Sequence, residues 1–274
     1  MEKATGEKFR DLKFSYTRMT RIAGYDVRIL RTGVTGELGY EIHGSPDIGN
    51  DVWSAIKEAG EEYGLRLLGG RSMLISHVEG CYPTIGRDFW PATSAMGKSQ
   101  AHRIDASGGS YEWKDISELE RSPLELGWDR EVSLDTHDFL GRDALIAEKK
   151  AGGPARRIAG LVWNIDDVVD VFASLFRDGP RYLQMDMPRS IHRHAIDPDK
   201  VMNDGKVVGC SSSRVYSSYL RKMISLCVLD RDVAIGSDVT VVWGNKGSAQ
   251  KNIRAIVVSV PFKEDKRRID VMKL

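Results

Sequence analysis

The sequence predicts an α+β fold, an antiparallel sheet with helices, followed by a small C-terminal β-barrel. Three observations carry that expectation. Up to Lys150 the chain mixes β-rich patches with amphipathic helical spacing. After Gly152-Gly153-Pro154 it turns to short, β-branched runs separated by turn residues. No convincing helical period interrupts about the last seventy residues, which favours an all-β unit there. At 274 residues the chain is long enough for two domains, and the Gly-Gly-Pro breaker sets them at 1–152 and 155–274.

The first strands fall at Tyr25–Leu30 and Gly39–His43, with glycines at 33, 36 and 39 marking tight turns between them. Ser45-Pro46-Asp47 reads as a loop and Asn50 as the cap of a helix. Val52, Trp53, Ile56, Ala59 and Tyr63 form that helix's apolar face, and Gly64 stops it. A shorter helix covers Arg71–Val78, with Met73, Leu74 and Val78 inward. Residues 80–121 are broken by proline and glycine, and so long a connection is a functional loop or an insertion. A helix at Arg142–Lys150 precedes the breaker. Strands are then expected at Ile158–Trp163, Val207–Ser211, Met223–Leu229, Val239–Trp243 and Ile253–Val260.

Composition narrows the function. Apolar residues make up 41% and charged residues 29%, as in soluble globular proteins. No run approaches the roughly 18 apolar residues of a membrane span, and the first residues have no apolar core of a secretory signal. A soluble, cytoplasmic protein is expected. Forty Lys plus Arg against 39 Asp plus Glu leave a charge of +1, without the basic excess of a nucleic-acid binder. Cys81, Cys210 and Cys227 form no CxxC pair, so they read as small buried hydrophobes rather than as disulfides or zinc ligands.

Most candidate motifs have an ordinary reading. Gly97-Lys98-Ser99 looks like the end of a phosphate loop, but the required first glycine is Ala92 and no strand precedes it. His192 and His194, near Asp197 and Asp199, lack a recognisable third and fourth ligand, so no metal is expected. The mixed-sign run Lys263–Arg268 reads as a solvated strand end or tail. The segment Arg31–Ile42 differs from these. Alternation puts Glu37, Gly39 and Glu41 on one face and Leu38, Tyr40 and Ile42 on the other. A carboxylate held there can accept paired N–H groups from an aminopyrimidine-type ring. The alternative is a turn and strand with exposed acids.

The same segment, Arg31-Thr32-Gly33-Val34-Thr35-Gly36-Glu37-Leu38-Gly39-Tyr40-Glu41-Ile42, closely resembles the folate-site strand of the glycine cleavage T-protein (aminomethyltransferase) family. The likeness continues through Glu79 with Tyr82-Pro83, Gly86-Arg87-Asp88, Ser122–Trp128, Asp138–Leu145, Asp204–Gly209 and Pro261-Phe262. Within the family, Leu74–Glu79, Val162–Val168 and Pro261–Val271 resemble the tetrahydrofolate-dependent demethylases of vanillate, syringate and related aryl methyl ethers.

The resemblance implies part of a folate-binding T-protein region over 1–152 and the family's barrel over 155–274. It implies tetrahydrofolate as cofactor, a small aromatic substrate, and methyl transfer from the ring oxygen to N5. Glu41 would anchor the pterin, and Tyr40 would reach the aromatic substrate unless it is a core residue. Counting back from Glu79, the family's folate-contacting arginine falls on Met73. Arg71 would take its place only if the helix start is shifted. The family's N-terminal region, with its catalytic aspartate, has no counterpart in the sequence. Two alternatives follow: an aminomethyltransferase of the glycine-cleavage type, or a truncated, non-catalytic folate-binding protein. The same feature implies self-association, or a partner that covers the missing region.

Overall fold

The computed structural model describes residues 1–90, 108–187 and 196–273. The chain divides into two compact units, Met1–Ser76 with Lys263–Leu274, and His77–Phe262.

The first unit is built on a three-stranded antiparallel sheet of β1 (Thr17–Ile22), β2 (Tyr25–Leu30) and β3 (Glu41–His43), in that order. Alternation decides its faces. Thr20, Ile22, Val27 and Ile29 are buried on one side, while Met19, Arg21, Arg28 and His43 are exposed on the other. The covered side packs against α1 (Glu2–Thr5), α2 (Gly49–Glu61) and the segment that carries Phe9 and Leu12.

Helix α2 begins one residue before the expected cap. Asn50 lies inside it, and Ser45 instead caps the short 3₁₀ turn Pro46–Ile48 by accepting from Asp47 N–H. Its inward residues are Val52, Ala55 and Ile56, whereas Trp53 and Tyr63 are 58% and 74% exposed. An aromatic one step off the centre of the stripe is turned to solvent. Gly64 has a left-handed φ of 70°, as a stop residue requires. Helix α3 (Gly70–Glu79) buries Leu74 and Val78 as expected but leaves Met73 exposed.

In the second unit, β4 (Arg156–Trp163), β5 (Asp199–Asn203), β6 (Lys206–Ser217), β7 (Lys222–Asp230), β8 (Asp238–Trp243) and β9 (Lys251–Val258) close into an antiparallel barrel. The order around it is β4-β7-β6-β5-β8-β9. Closure by β4 and β9 abolishes free edges. Strands β8 and β9 bury alternate residues, and β7 is buried from Met223 to Leu229. Inside, Trp163 and Trp243 meet edge-to-face at 6.5 Å. The Trp163 Nε1–H donates to Ser225 Oγ at 2.9 Å, and the Ser211 hydroxyl donates to the same oxygen at 2.8 Å, so these three buried side chains satisfy one another.

Helix α4 (Arg142–Lys150) and the breaker behind it fall as expected, but here the breaker ends a helix inside the second unit. The chain on its two sides is joined: Arg156 Nε donates to Glu125 Oε1 at 2.7 Å and Ile158 N–H to Glu125 O at 2.8 Å. Helix α5 (Ile165–Ala173), capped by Asn164, follows β4 with Val168 and Val171 buried on the barrel. The described parts of the irregular 80–121 stretch dock on the same unit. Asp88 accepts from Ser212 Oγ, Ser213 N–H and Thr84 N–H, which ties the loop to the bulge of β6 between Ser211 and Arg214. Cys210 and Cys227 are buried free thiols, and Cys81 is half-buried.

Candidate functional site

The glycine-rich stretch that leads into β3 is a folded-back loop whose glycines have two separate causes. Gly36 sits at φ 76°, a conformation that costs an L side chain about 1–2 kcal/mol. At Gly39 an added Cβ would lie 2.7 Å from the Thr32 carbonyl oxygen, so the two arms of the loop can close only there on glycine. Arg31, at the base of the loop, is a buried guanidinium that is 4% exposed. It donates to the carbonyl oxygens of Leu12, Arg267 and Ile269.

Alternation then sorts the expected site residues. Tyr40 turns to the covered side, half-buried, with its ring edge-to-face against Phe9 at 6.2 Å. Burial pushes its phenol up, against the pull of Arg31. Its position is that of a packing residue. Glu41 turns to the open side, where its carboxylate is 48% exposed and lies 3.4 Å from His43 Nε2.

Register places Glu41 opposite Leu30 on β2, and His43 opposite Arg28, which itself faces Met19 on β1. The open side therefore groups a carboxylate, an imidazole and a guanidinium around two apolar side chains. Arg28 and His43 were not singled out in the sequence. The signal was available, because the alternation that sends Val27 and Ile29 inward sends Arg28 outward.

Glu37 is held apart from this group by an ion pair with Lys263 at 2.6 Å. Arg71 stands exposed in the first turn of α3. Among the described residues it shares no ion pair or hydrogen bond with Glu41 or Tyr40. The helix starts at Gly70, so Arg71 and Met73 both lie in the first turn, about 200° apart around the axis. Arg71 thus occupies a different side of α3 from Met73.

Lys263–Arg268, expected as a solvated end, is instead bound to the first unit through Lys263, Lys266 and Arg267. Gly97-Lys98-Ser99, His192 and His194 lie outside the described residues. Asp199 is buried, with its carboxylate 3.9 Å from the Arg214 guanidinium. Among the described residues no three His, Cys, Asp or Glu side chains come together as a metal group, and no helix is long and apolar enough to cross a membrane.

The fold is similar to that of a solved aminomethyltransferase. Glycine cleavage system aminomethyltransferase T from Bartonella henselae superposes with a TM-score of 0.61 over 95% of this chain and 55% of its own, at 17% identity. Residues 1–101 match the family described as the GCVT N-terminal domain. Sesamin methylene transferase of a Sinomonas species is 34% identical over 100% of this chain and 65% of its own length. Syringate O-demethylase of a Sphingobium species is 32% identical over 94% and 59%. An aminomethyltransferase of Thermoanaerobacter pseudethanolicus is 26% identical over 96% and 55%. The chain is similar along its length to proteins named as methylene transferase, O-demethylase and aminomethyltransferase, and its first 101 residues match the GCVT N-terminal domain. It spans between 55% and 65% of the length of these curated relatives.

Proposed function

We propose that this chain is a tetrahydrofolate-dependent methyltransferase. The enzyme would take a methyl group from an aryl methyl ether of the vanillate or syringate type, in lignin-derived aromatic catabolism in the cytoplasm. The observation that carries the reading is Glu41: a carboxylate on the open side of the sheet, at the end of the family's most specific motif, whose ion-pair contact among the described residues is the long one to His43. Its two oxygens fit a ring that offers adjacent N–H donors. The demethylase-type substrate is supported by the identities of 34% and 32% to relatives whose names denote methylene transfer and O-demethylation, against 26% to the aminomethyltransferase.

In this reading bound tetrahydrofolate supplies N5 as acceptor of the one-carbon unit. Glu41 accepts the pterin N–H pair and so fixes the ring's rotation. Arg28 and His43, on the same side, frame that ring, and Arg71 offers a charge to the carboxylates of the glutamate tail. An ether oxygen is a poor leaving group, so the rest of the reaction depends on alignment and on a hydrogen bond to the departing phenolate.

The test is calorimetry of tetrahydrofolate with wild type, Glu41→Gln and Glu37→Gln, beside an assay of vanillate-dependent 5-methyl-tetrahydrofolate formation. Loss of a charge-assisted pair is worth about 1.5–3 kcal/mol, or roughly 10- to 150-fold in affinity. Glu41→Gln is expected in that range, and Glu37→Gln well below it. Equal affinity in all three proteins removes Glu41 from the site. Binding without turnover supports the non-catalytic folate-binding alternative.

A further inference from the structure

The segment Lys263–Ile269 belongs to the same compact unit as the glycine-rich loop, although more than 220 positions separate them in sequence. The two hold each other reciprocally. The Arg31 guanidinium donates from Nη2 to the Arg267 carbonyl at 3.2 Å and to the Ile269 carbonyl at 2.5 Å, and from Nη1 to Leu12 O at 2.8 Å. In the other direction, Lys266 N–H donates to Gly36 O at 2.7 Å and Arg267 Nη1 to Gly33 O at 3.3 Å. The Lys263 ammonium meets Glu37 at 2.6 Å, with the lysine side chain only 20% exposed.

A loop with glycines at 33, 36 and 39 has little conformational preference of its own and loses more freedom on ordering than any other sequence would. What holds it must come from outside it. The partners just named bind at 31, 33, 36 and 37, which is most of its length.

We propose that Arg31 and the Lys263–Ile269 segment are positioning elements that hold the glycine-rich loop in the one conformation that turns Glu41 to the open side of the sheet. They act through the loop and not on any ligand. A guanidinium is required at 31 because its fork serves three carbonyl oxygens at once, which an ammonium on a flexible stem cannot match. The proposal rests on the reading that Glu41 anchors the pterin.

The experiment compares wild type, Glu37→Lys, Lys263→Glu, the double exchange Glu37→Lys with Lys263→Glu, and Arg31→Lys. Three readouts are taken: hydrogen exchange of the 33–39 amides, calorimetry with tetrahydrofolate, and the unfolding midpoint followed by fluorescence of the barrel tryptophans. Each single charge exchange is expected to speed loop exchange and weaken tetrahydrofolate about 3- to 10-fold. The double exchange restores both, and the barrel midpoint does not move. Arg31→Lys gives a larger loss, about 10-fold or more.

Unchanged loop exchange in the single variants overturns the clamp. A loosened loop with undiminished affinity overturns the positioning role while leaving the pterin reading intact. If wild type does not bind tetrahydrofolate, the pterin reading fails and the positioning role fails with it. The amide data then still separate that failure from a failure of the clamp. A merely structural tail would not be rescued in affinity by the double exchange.

Discussion

Replacing Gly209 by alanine tests the barrel at its most constrained point. Strands β5 and β6 are not paired residue for residue: Val201 faces Gly209 but Met202 faces Val207, which leaves Val208 as the extra residue of a bulge. The bulge drives Gly209 to φ 151°, and a Cβ there would lie 2.1 Å from the Val228 carbonyl oxygen and 2.9 Å from the Leu229 Cα. Both are backbone atoms of the paired strand β7, which cannot rotate away as a side chain would.

Backbone strain contributes about 1–3 kcal/mol and overpacking a further 1–3, so Gly209→Ala should cost about 2–6 kcal/mol. That is a large part of the roughly 5–15 kcal/mol of a typical domain. Gly205→Ala is the control, since Gly205 also has a positive φ, 76°, but has nothing within 4 Å of the added carbon. It should cost only about 1–2 kcal/mol. Urea unfolding read by Trp163 and Trp243, both buried in the barrel, gives the two values. A Gly209→Ala loss no greater than that of Gly205→Ala would refute the close β6–β7 approach and the bulge that causes it.

Two further outcomes follow from charge and burial. The Arg254 guanidinium holds the Asp167 carboxyl below its ordinary range, so its contribution is present above the unfolded value near 4 and is lost as pH falls through the lower folded value. Asp167→Asn should therefore flatten the acid limb of midpoint against pH below about 4 and lower the midpoint at pH 7; an acid limb parallel to wild type would contradict the pairing. Burial pushes the Cys81 thiol up to about 12, and desolvation raises Cys210 and Cys227 as well. At pH 8 the native chain should resist iodoacetamide, and all three thiols should label in denaturant; native labelling by mass spectrometry would count against that burial.

The elements that sequence reading located best are those in which one pattern acts alone. Tyr25–Leu30 and Arg142–Lys150 were bounded to the residue, because clean alternation and clean helical spacing had no competing signal there. Strand β1 escapes the pattern because its covered side carries Arg18 and the polar Thr20 beside Ile22, while its open side carries Met19, so polarity does not follow the alternation. Strand β5 runs from Asp199 to Asn203, too short and too polar at its ends to register. Helix α5 carries Val168, Val169 and Val171, which as β-branched residues argue for strand; the Asn164 cap and the i, i+3 spacing of Val168 and Val171 decide for helix.

The candidate site divides along the same line. Glu41 and Tyr40 were separable by parity alone. The clamp on their loop was not, since Arg31 and Lys263–Ile269 lie at opposite ends of the chain and no local pattern joins them.

The same reasoning about faces decides what α3 can offer a folate tail. Arg71 and Met73 are two steps apart, so a ligand that meets one does not meet the other. Met73 is 44% exposed, and its replacement by arginine should leave stability within about 0.5 kcal/mol. If the family's register describes this helix, Met73→Arg adds a charge-assisted contact to the tail carboxylates. At a half-exposed site that contact is worth about 0.2–1 kcal/mol, or roughly 1.5- to 5-fold tighter tetrahydrofolate. If Arg71 already serves the tail, Arg71→Ala should weaken binding by a similar factor, and Met73→Arg should add nothing. Calorimetry of the two variants with tetrahydrofolate and with a pterin that lacks the glutamate tail separates these outcomes, because only the tailed ligand should respond. Neutral results from both substitutions would remove α3 from the folate site and leave the ligand to Glu41 and its neighbours Arg28 and His43 on the sheet.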